Sequence, residues 1–289
     1  MKKVAIMTDT GSNIPQQLAQ NSNIRMMPFH IIIDGKDYLD TEIDMGDLYA
    51  RLSKKENLPT TSFPSVEEYL QAYQELSQRA EAILFISVTS IFTKAYNLAL
   101  QAKEIAHKKL PKTAIEVIDS RTGGTGLALI VLQAARLAEQ GKDIKAIMEQ
   151  VNYMIPRINH LSAPDTLFYL DKGGRICEAK SWAEAQSVSS FRALVEIDAS
   201  TGGVTKPVAR AKTKMEIMKK MVSIAKERVG DKKMHAGITH NNIPEQAEQL
   251  RKMVTSQFQC DELYLFEALA PAAVHTGQGL VDFGFYSSD

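Results

Sequence analysis

The stretch Thr166-Leu-Phe-Tyr-Leu-Asp-Lys-Gly-Gly-Arg-Ile176 lies just past the middle of the 289-residue chain. Its two leucines are spaced to share one face of a short helix, which a side-chain oxygen at Asp165 or Thr166 can cap. The two consecutive glycines predict the end of that helix, because glycine adopts the left-handed conformation without a Cβ clash. Arg175 follows, and we expect its side chain to be free. The pattern fits either a simple connector between domains or the joint of a binding cleft with Arg175 at its rim.

The elements on either side of this stretch predict an α/β protein with two domains. Before it, short apolar runs such as Val4–Met7 and Ala82–Ile86 alternate with amphipathic helices, which is typical of a parallel sheet. After it, Ser200-Thr-Gly-Gly203 separates two strand-like runs and predicts a hairpin. The length also suits two hydrophobic cores of ordinary size. We therefore predict domains at residues 1–164 and 165–289.

The composition is that of a globular protein without a charged bias. Apolar residues make up 44% of the chain and charged residues 24%, with 34 basic and 34 acidic side chains. A formal net charge of zero leaves no basic excess of the kind that binds nucleic acid or an anionic membrane surface. Nucleic acid is therefore not an expected partner.

The cysteines and the hydrophobic runs predict a cytoplasmic location. Cys177 and Cys260 are far apart and fit neither a disulfide framework nor a zinc-site spacing, so a reducing compartment is the simpler interpretation. The first residues carry two lysines but too short an apolar run for a signal peptide, and we predict a buried strand there instead. No segment approaches the roughly 18 apolar residues of a membrane span.

Hydroxyl side chains collect in predicted loops in the first half of the chain, some of them at the carboxyl ends of strands. Thr61 and Ser62 lie in a stiff segment between Pro59 and Pro64, and Thr93 precedes a helix that follows a buried strand. Ligands of open α/β sheets bind at such strand ends. The alternative is that these hydroxyls, like Asp9 and Ser12 after the first strand, satisfy backbone donors, and Thr93 is suited to cap its helix.

His275 is the histidine whose surroundings indicate a role in binding. It is followed by Thr276 and Gly277, and we predict a glycine-flanked loop between two apolar strands, with backbone N–H groups accessible to a ligand. A lone histidine is more often structural, and we interpret His30 in that way. Thr61, Ser62, Thr93 and His275 fit two chemistries, namely binding of a carboxylate or a Ser–His type dyad for acyl transfer.

Other site patterns are missing. The glycine-rich stretch Asp119–Gly126 follows a predicted strand but is neither a dinucleotide-binding fingerprint nor a P-loop with its lysine. The chain contains no Gly-x-Ser-x-Gly motif, no His-x-x-x-His pair and no clustered acidic metal ligands. We therefore predict no cofactor, no metal and no catalytic residue.

The opening stretch resembles the central signature of the DegV family of bacterial lipid-binding proteins. Four further motifs carry the same resemblance, among them Thr61-Ser-Phe-Pro-Ser65 and His275-Thr-Gly-Gln-Gly279. The segment Thr89–Tyr96 is similar to the family's Ser-Ser-x-Leu-Ser-Gly-Thr-Tyr motif. Thr93 keeps a hydroxyl there, but Lys94 replaces the glycine. This departure leaves open how closely a ligand head group can approach the backbone there.

The resemblance implies an N-terminal parallel-sheet domain and a C-terminal mixed-sheet domain with a lipid tunnel between them. It implies that a long-chain fatty acid occupies the tunnel and that Thr61, Thr93 and His275 hold its carboxylate. Ser62 and the backbone of Thr276 and Gly277 are weaker members of this fatty-acid-binding set.

The resemblance further implies that the chain has no activity alone and presents the fatty acid to a separate ATP-dependent kinase subunit, which forms the acyl phosphate. Arg175 matches the arginine of the central signature and is expected to face that kinase. Two alternatives remain, namely a stand-alone acyl hydrolase or acyltransferase that uses His275 and a binding module for a small molecule other than a lipid.

Overall fold

The strands and helices follow the alternating pattern of the sequence in a computed structural model that describes residues 2–288. Its strands are β1 (Lys2–Asp9), β2 (Ile24–Met27), β3 (His30–Ile33), β4 (Lys36–Leu39), β5 (Thr60–Ser62), β6 (Ala80–Ser87), β7 (Ala114–Asp119), β8 (Asn159–Ala163), β9 (Arg192–Glu196), β10 (Lys206–Ala211), β11 (Met234–His240), β12 (Cys260–Glu267) and β13 (Val281–Ser287). Its helices are α1 (Gln16–Asn21), α2 (Met45–Ser53), α3 (Val66–Ser77), α4 (Ala95–Lys109), α5 (Gly124–Glu139), α6 (Ile144–Met154), α7 (Phe168–Lys172), α8 (Lys180–Val188), α9 (Lys214–Val229), α10 (Pro244–Gln257) and α11 (Ala270–Thr276). None of these helices has both the length and the apolar content needed to cross a bilayer.

The N-terminal sheet is parallel, as predicted. Its strand order is β2-β1-β6-β7, and every pair runs in the same direction. Strand β6 is buried along almost its whole length, which is why it appears in the sequence as a continuous apolar run rather than an alternating one. The carboxyl ends of β1, β6 and β7 therefore open at one edge, where the polar loops of the sequence begin.

The C-terminal sheet is mixed, which confirms the predicted fold class. Its order is β10-β9-β8-β13-β11-β12, and only the β11–β12 pair is parallel. The predicted hairpin is present as the antiparallel pair β9 and β10. Strand β8 pairs with β9 and β13 of this sheet, whereas the predicted limit at residue 164 leaves it with the N-terminal half. We propose a domain boundary before Asn159 instead.

Helix α5 lies between the two sheets and is buried from Gly124 through Leu132. It packs against β1 of one sheet and against β11 and β13 of the other. The contact with β13 is so close that a Cβ on Gly284 would lie 2.8 Å from the Thr125 hydroxyl and 2.9 Å from the Gly126 nitrogen. The amino end of α5 is consequently the place where residues of both sheets meet.

The opening stretch of the sequence forms helix α7, and its two ends differ in detail from the prediction. Leu167, not Asp165 or Thr166, occupies the N-cap position, although the Thr166 hydroxyl accepts a hydrogen bond from the Phe168 N–H at 3.2 Å. Gly173 keeps a right-handed φ of −79°, and the left-handed residue is Gly174 with φ +70°. The first glycine is therefore not needed to end the helix.

A small antiparallel sheet, β4-β3-β5, carries the proline-bounded segment. The turn between β3 and β4 has positive φ at Asp34 and Gly35, which is the geometry expected of an Asp-Gly hairpin. His30 lies 2.9 Å from Asp37 and 3.3 Å from Glu68, in agreement with a structural histidine. Strand β5 places Thr61 opposite Ile31 and next to helix α11.

The polar loop after β1 is fixed by its own hydrogen bonds. The buried Asp9 carboxylate accepts from the N–H groups of Val88 (2.9 Å) and Gly11 (3.1 Å), and the Ser12 hydroxyl donates to the Asp9 carbonyl (2.9 Å). Asp9 and Ser12 therefore satisfy backbone groups, the structural alternative considered above. Burial raises the pKa of Asp9 to about 7, partly offset by these backbone donors.

Replacing Asp9 should change how stability depends on pH. The raised pKa means that the folded state holds a proton that the unfolded state has lost, so stability falls as pH rises from about 4 to about 7. In Asp9→Asn this contribution is absent. On lowering the pH from about 8 to about 5, the wild type should gain about 2 kcal/mol of unfolding free energy relative to the variant. Denaturant unfolding at both pH values measures the difference, and parallel pH profiles would contradict the assignment.

Candidate functional site

A cavity separates the strand ends of the N-terminal sheet from the C-terminal sheet. It contains about 830 Å³ of space between atoms, part of which opens to solvent. Its apolar walls come from both halves of the chain and consist of Phe29, Phe63, Val88, Phe92, Leu170, Ile197, Pro271, Ala272 and Leu280. Cavities of this kind, apolar with a few convergent polar groups, are typical of small-molecule sites.

Thr61 and His275 meet among the partly exposed residues that line the cavity, and we call this end of the cavity the mouth. The Thr61 Oγ1 lies 2.8 Å from His275 Nε2, although strand β5 and helix α11 belong to opposite halves of the chain. His275 is in the last turn of α11, and the loop predicted for it is wrong. The run Ala270-Pro-Ala-Ala-Val274 forms a helix because alanine favours one and proline is tolerated in its first turn.

The His275 ring is neutral and oriented by its surroundings. Burial and the nearby Arg175 guanidinium lower the pKa of His275 to about 3. Its Nδ1 is buried without a hydrogen-bond partner within residues 2–288 and lies against Gly173, where a Cβ would come within 2.4 Å. A hydrogen on Nδ1 would be an unsatisfied buried donor, so we assign the hydrogen to Nε2. Nε2 then donates to Thr61, whose own hydroxyl hydrogen is free for a ligand.

Ser62 and Thr93 also line the mouth, and both are half-buried. The Thr93 hydroxyl accepts from the N–H of Ala95, the first residue of α4, at 3.1 Å, and Thr93 also lines the cavity. Lys94 is exposed and is not among the described residues that line the cavity. The lysine that replaces the family's glycine therefore keeps its side chain out of this space.

Thr276 and Gly277 have other roles in the structure than the predicted contacts with a ligand. Thr276 lines the cavity, but its hydroxyl donates to the Ala272 carbonyl (2.7 Å) and accepts from the Asn241 amide (2.8 Å). The Gly277 N–H donates to Ala273 at 2.8 Å and is not accessible to a ligand, contrary to prediction. Gly277 has φ +69°, and a Cβ there would lie 2.2 Å from the Tyr169 ring. Its requirement for glycine is thus steric and conformational.

Arg175 turns toward the mouth instead of extending freely from the helix end. Its side chain is half-buried, lines the cavity and donates a hydrogen bond to the Gly173 carbonyl. Burial lowers the pKa of Arg175, but the guanidinium remains charged because arginine titrates far above neutral pH. Of the lysines and arginines in the described chain, Arg175 alone lines the cavity.

The inner end of the cavity is polar, and the sequence interpretation missed it. His160 and Ser162 of β8 and Asp282 of β13 line it and are all buried. Ser162 is directly opposite Asp282 in the sheet, and His160 Nε2 lies 3.4 Å from Asp282 Oδ2. The available signal was the period of two in β8, which puts His160 and Ser162 on one face of the strand. Within residues 2–288, no group of three or more side chains has the arrangement of a metal site.

Comparison with known proteins decides the family. The model of a family described as "Uncharacterised protein, DegV family" matches residues 3–288. The chain belongs to the DegV family. A DegV domain-containing protein of Clostridium perfringens is 26% identical over 276 residues, which cover 95% of each chain. Another, from Caldanaerobacter subterraneus subsp. tengcongensis, is 36% identical over 182 residues, covering 63% of each.

Solved DegV structures share the whole fold. A DegV family protein from Thermus thermophilus, described in terms of fatty acid binding, has a TM-score of 0.90 and 23% identity, with 100% of each chain covered. A stearic-acid-binding protein from Eubacterium ventriosum has a TM-score of 0.88 at 21% identity, with 98% of each chain covered. Bacillus subtilis DegV, a fatty acid binding protein, has a TM-score of 0.84 at 21% identity over 100% of each chain. At these identities the likeness establishes the DegV fold of this chain.

The contact between Gly173 and His275 predicts an effect of a single methyl group in this DegV protein. In Gly173→Ala the new Cβ would collide with His275 Nδ1, so the ring must move and the bond to Thr61 should be lost, with a cost of about 1–3 kcal/mol. Gly174→Asn is the matched control, because that position is open and asparagine tolerates its left-handed backbone. Thermal unfolding and the crystal structure of each variant measure the effect. Equal stability of Gly173→Ala and wild type would contradict the close contact.

Proposed function

We propose that this protein binds a long-chain fatty acid in the cavity, with the carboxylate at the mouth beside Thr61 and His275. The observation that carries the proposal is an apolar cavity whose mouth combines a free hydroxyl hydrogen with one guanidinium. Solved relatives that bind fatty acids support it. Thr93 and Ser62 supply further hydroxyls, while Thr276 contributes only through its position, because its hydroxyl is already bonded.

The energetics fit a ligand with an apolar tail and an acidic head. Each buried methylene contributes roughly 0.8 kcal/mol, so the tail supplies most of the affinity. A carboxylate withdrawn from water is costly unless it is paired. Hydrogen bonds to a charged group contribute about 1.5–3 kcal/mol each, and the Thr61 hydroxyl and the Arg175 guanidinium are the groups suited to make them.

The geometry argues against the hydrolase alternative. A histidine with a pKa of about 3 is a poor base near neutral pH, since it does not hold the proton it would have to accept. Its Nδ1 also lacks the carboxylate that orients the base in a catalytic triad. Absence of turnover of a chromogenic acyl ester by the purified chain would agree with binding alone.

Extraction of the purified protein tests the proposed function. Mass spectrometry of the denatured chain should reveal a fatty acid at near one per protein, and adding fatty acid to the delipidated protein should raise its melting temperature. A different small molecule in the extract would favour a binding module for another ligand. A clean extract together with no thermal shift would refute the proposal.

Substitutions at the mouth should weaken binding. Thr61→Val and His275→Ala each remove part of the head-group arrangement, and we expect roughly tenfold weaker binding of a fatty acid. Thr93→Val should also weaken binding, because the Thr93 hydroxyl accepts from the Ala95 N–H and so keeps its own hydrogen for a ligand. Lys94→Gly is the control and should leave the dissociation constant unchanged. Titration with a fluorescent fatty acid measures all four, and wild-type affinity in the first two variants would show that the head group binds elsewhere.

We also propose that a separate ATP-dependent kinase receives the fatty acid from this protein. Phosphoryl transfer requires a cradle for nucleotide phosphates, commonly with a lysine and a magnesium ion. Gly123 and Gly124 instead line the cavity, and their loop lacks that lysine. The accessible head group lies at the mouth, where Lys172 and Gly174 are exposed next to Arg175. This surface is the one that a kinase must approach, and Arg175 is the proposed contact.

Two assays separate the roles of Arg175. The isolated protein with ATP and fatty acid should form no acyl phosphate, whereas addition of the partner kinase should produce it. Arg175→Gln should weaken fatty acid binding by about tenfold, since the carboxylate loses its one cationic neighbour. At saturating fatty acid its kinase-dependent rate should remain below that of the wild type if Arg175 also contacts the partner. Full recovery at saturation would restrict Arg175 to the head group, and acyl phosphate from the isolated chain would refute the kinase proposal.

A further inference from the structure

The inner end of the cavity is unsuited to the methyl end of an unsubstituted fatty acid. His160 and Ser162 are 3% exposed and Asp282 is 4% exposed, so these polar groups have little contact with solvent. The mouth residues are half-buried, which distinguishes the open end of the cavity from this closed one. Under the proposed function, the far end of the acyl chain therefore points toward groups that need hydrogen-bond partners.

The two side chains at this end leave one atom each without a partner. His160 Nδ1 lies 3.3 Å from the Thr122 hydroxyl, which itself donates to the Ile197 carbonyl at 2.8 Å. Nδ1 must therefore be the donor in this contact. Neither His160 Nε2 nor Asp282 Oδ1 has a hydrogen-bond partner in the described chain, and the Nε2–Oδ2 distance of 3.4 Å is long for a hydrogen bond.

Gly124 keeps this pair open to the cavity. A Cβ on Gly124 would lie 3.0 Å from Asp282 Oδ2 and 3.2 Å from His160 Nε2, so any side chain would cover both. Gly124 also has φ +47°, a backbone conformation that other residues rarely adopt. The cavity thus reaches the His160–Asp282 pair because glycine occupies the first position of α5.

The chemistry of the pair selects a neutral group that both donates and accepts. A hydroxyl can donate to Asp282 Oδ1 and accept from His160 Nε2 at the same time when the His160 ring carries a hydrogen on both nitrogens. A second carboxylate is disfavoured, because Asp282 is already there and Asp198 accepts from the His160 N–H at 3.2 Å. We infer that the preferred ligand is a long-chain fatty acid that carries a hydroxyl at or near its methyl end, bound by His160 and Asp282.

A matched set of ligands tests the inference with the full, delipidated protein. Hexadecanoic acid, ω-hydroxyhexadecanoic acid and hexadecanedioic acid compete against a fluorescent fatty acid, and the same comparison is repeated with shorter and longer chains. An apolar tunnel favours the plain acid, because a hydroxyl is costly to remove from water without a partner. We expect the reverse at the chain length that fits, with the ω-hydroxy acid bound about tenfold tighter than the plain acid and the diacid weaker than the ω-hydroxy acid.

The outcomes separate this inference from the proposed function. If plain acids bind as tightly as ω-hydroxy acids at every length, or if the diacid binds tightest, the inference is wrong and fatty acid binding stands. If no fatty acid binds, the proposed function itself is wrong.

A double substitution assigns the preference to the pair. His160→Leu with Asp282→Leu removes both polar groups together, so no unpaired charge is left behind. The plain acid should then bind tighter than the ω-hydroxy acid. The control is His235→Leu with Glu262→Leu, a histidine–acid pair 3.3 Å apart on β11 and β12 and outside the cavity lining, which should keep the wild-type preference. A wild-type preference in the His160/Asp282 variant would overturn the assignment, and if that variant does not fold, the ligand comparison in wild type still decides.

Discussion

Burial of helix α5 between two β-sheets is the constraint from which the rest of the structure follows. A helix covered on both sides must be apolar around its circumference and must offer small residues where a sheet comes close. The contact of Gly284 with Thr125 and Gly126 meets that need, and it brings the two sheets to one place at the amino end of α5. The cavity begins there, so its inner end is determined by the packing of the core.

The two ends of the cavity differ in their electrostatics. At the mouth, a neutral histidine and hydroxyls lie next to a guanidinium, an arrangement that stabilises one negative charge. At the inner end, burial by itself lowers the pKa of His160, but the neighbouring Asp282 and Asp198 carboxylates raise it above the usual value. One end therefore suits an anion and the other a neutral polar group, with apolar walls between them.

The local sequence pattern predicted the helices and strands. Tertiary packing determined the contacts between side chains, which the pattern did not predict. Strand runs and glycine-rich turns gave the fold class, and the proline-bounded segment pointed to Thr61, although a loop was predicted where strand β5 forms. The helical setting of His275 was missed because only seven residues form α11. The roles of Gly173 and Gly277 depend on neighbours remote in sequence, because a Cβ at these positions would lie only 2.4 Å from His275 Nδ1 and 2.2 Å from the Tyr169 ring. His160 and Asp282 come together only through the β8–β13 pairing, which no local motif encodes.

The hydrogen bond between Thr61 and His275 has a consequence for how such chains diverge. Its two partners come from opposite halves, and the wall around them is built from α7, α11 and the small sheet together. If one half of the chain were exchanged with that of a relative, Thr61 or His275 would come with a surface that does not fit the remaining half. The close packing of the Tyr169 ring against Gly277 is an example of how closely the wall fits. The two halves therefore fit each other as one unit, and a half taken alone from a relative would disrupt both this hydrogen bond and the cavity wall around it.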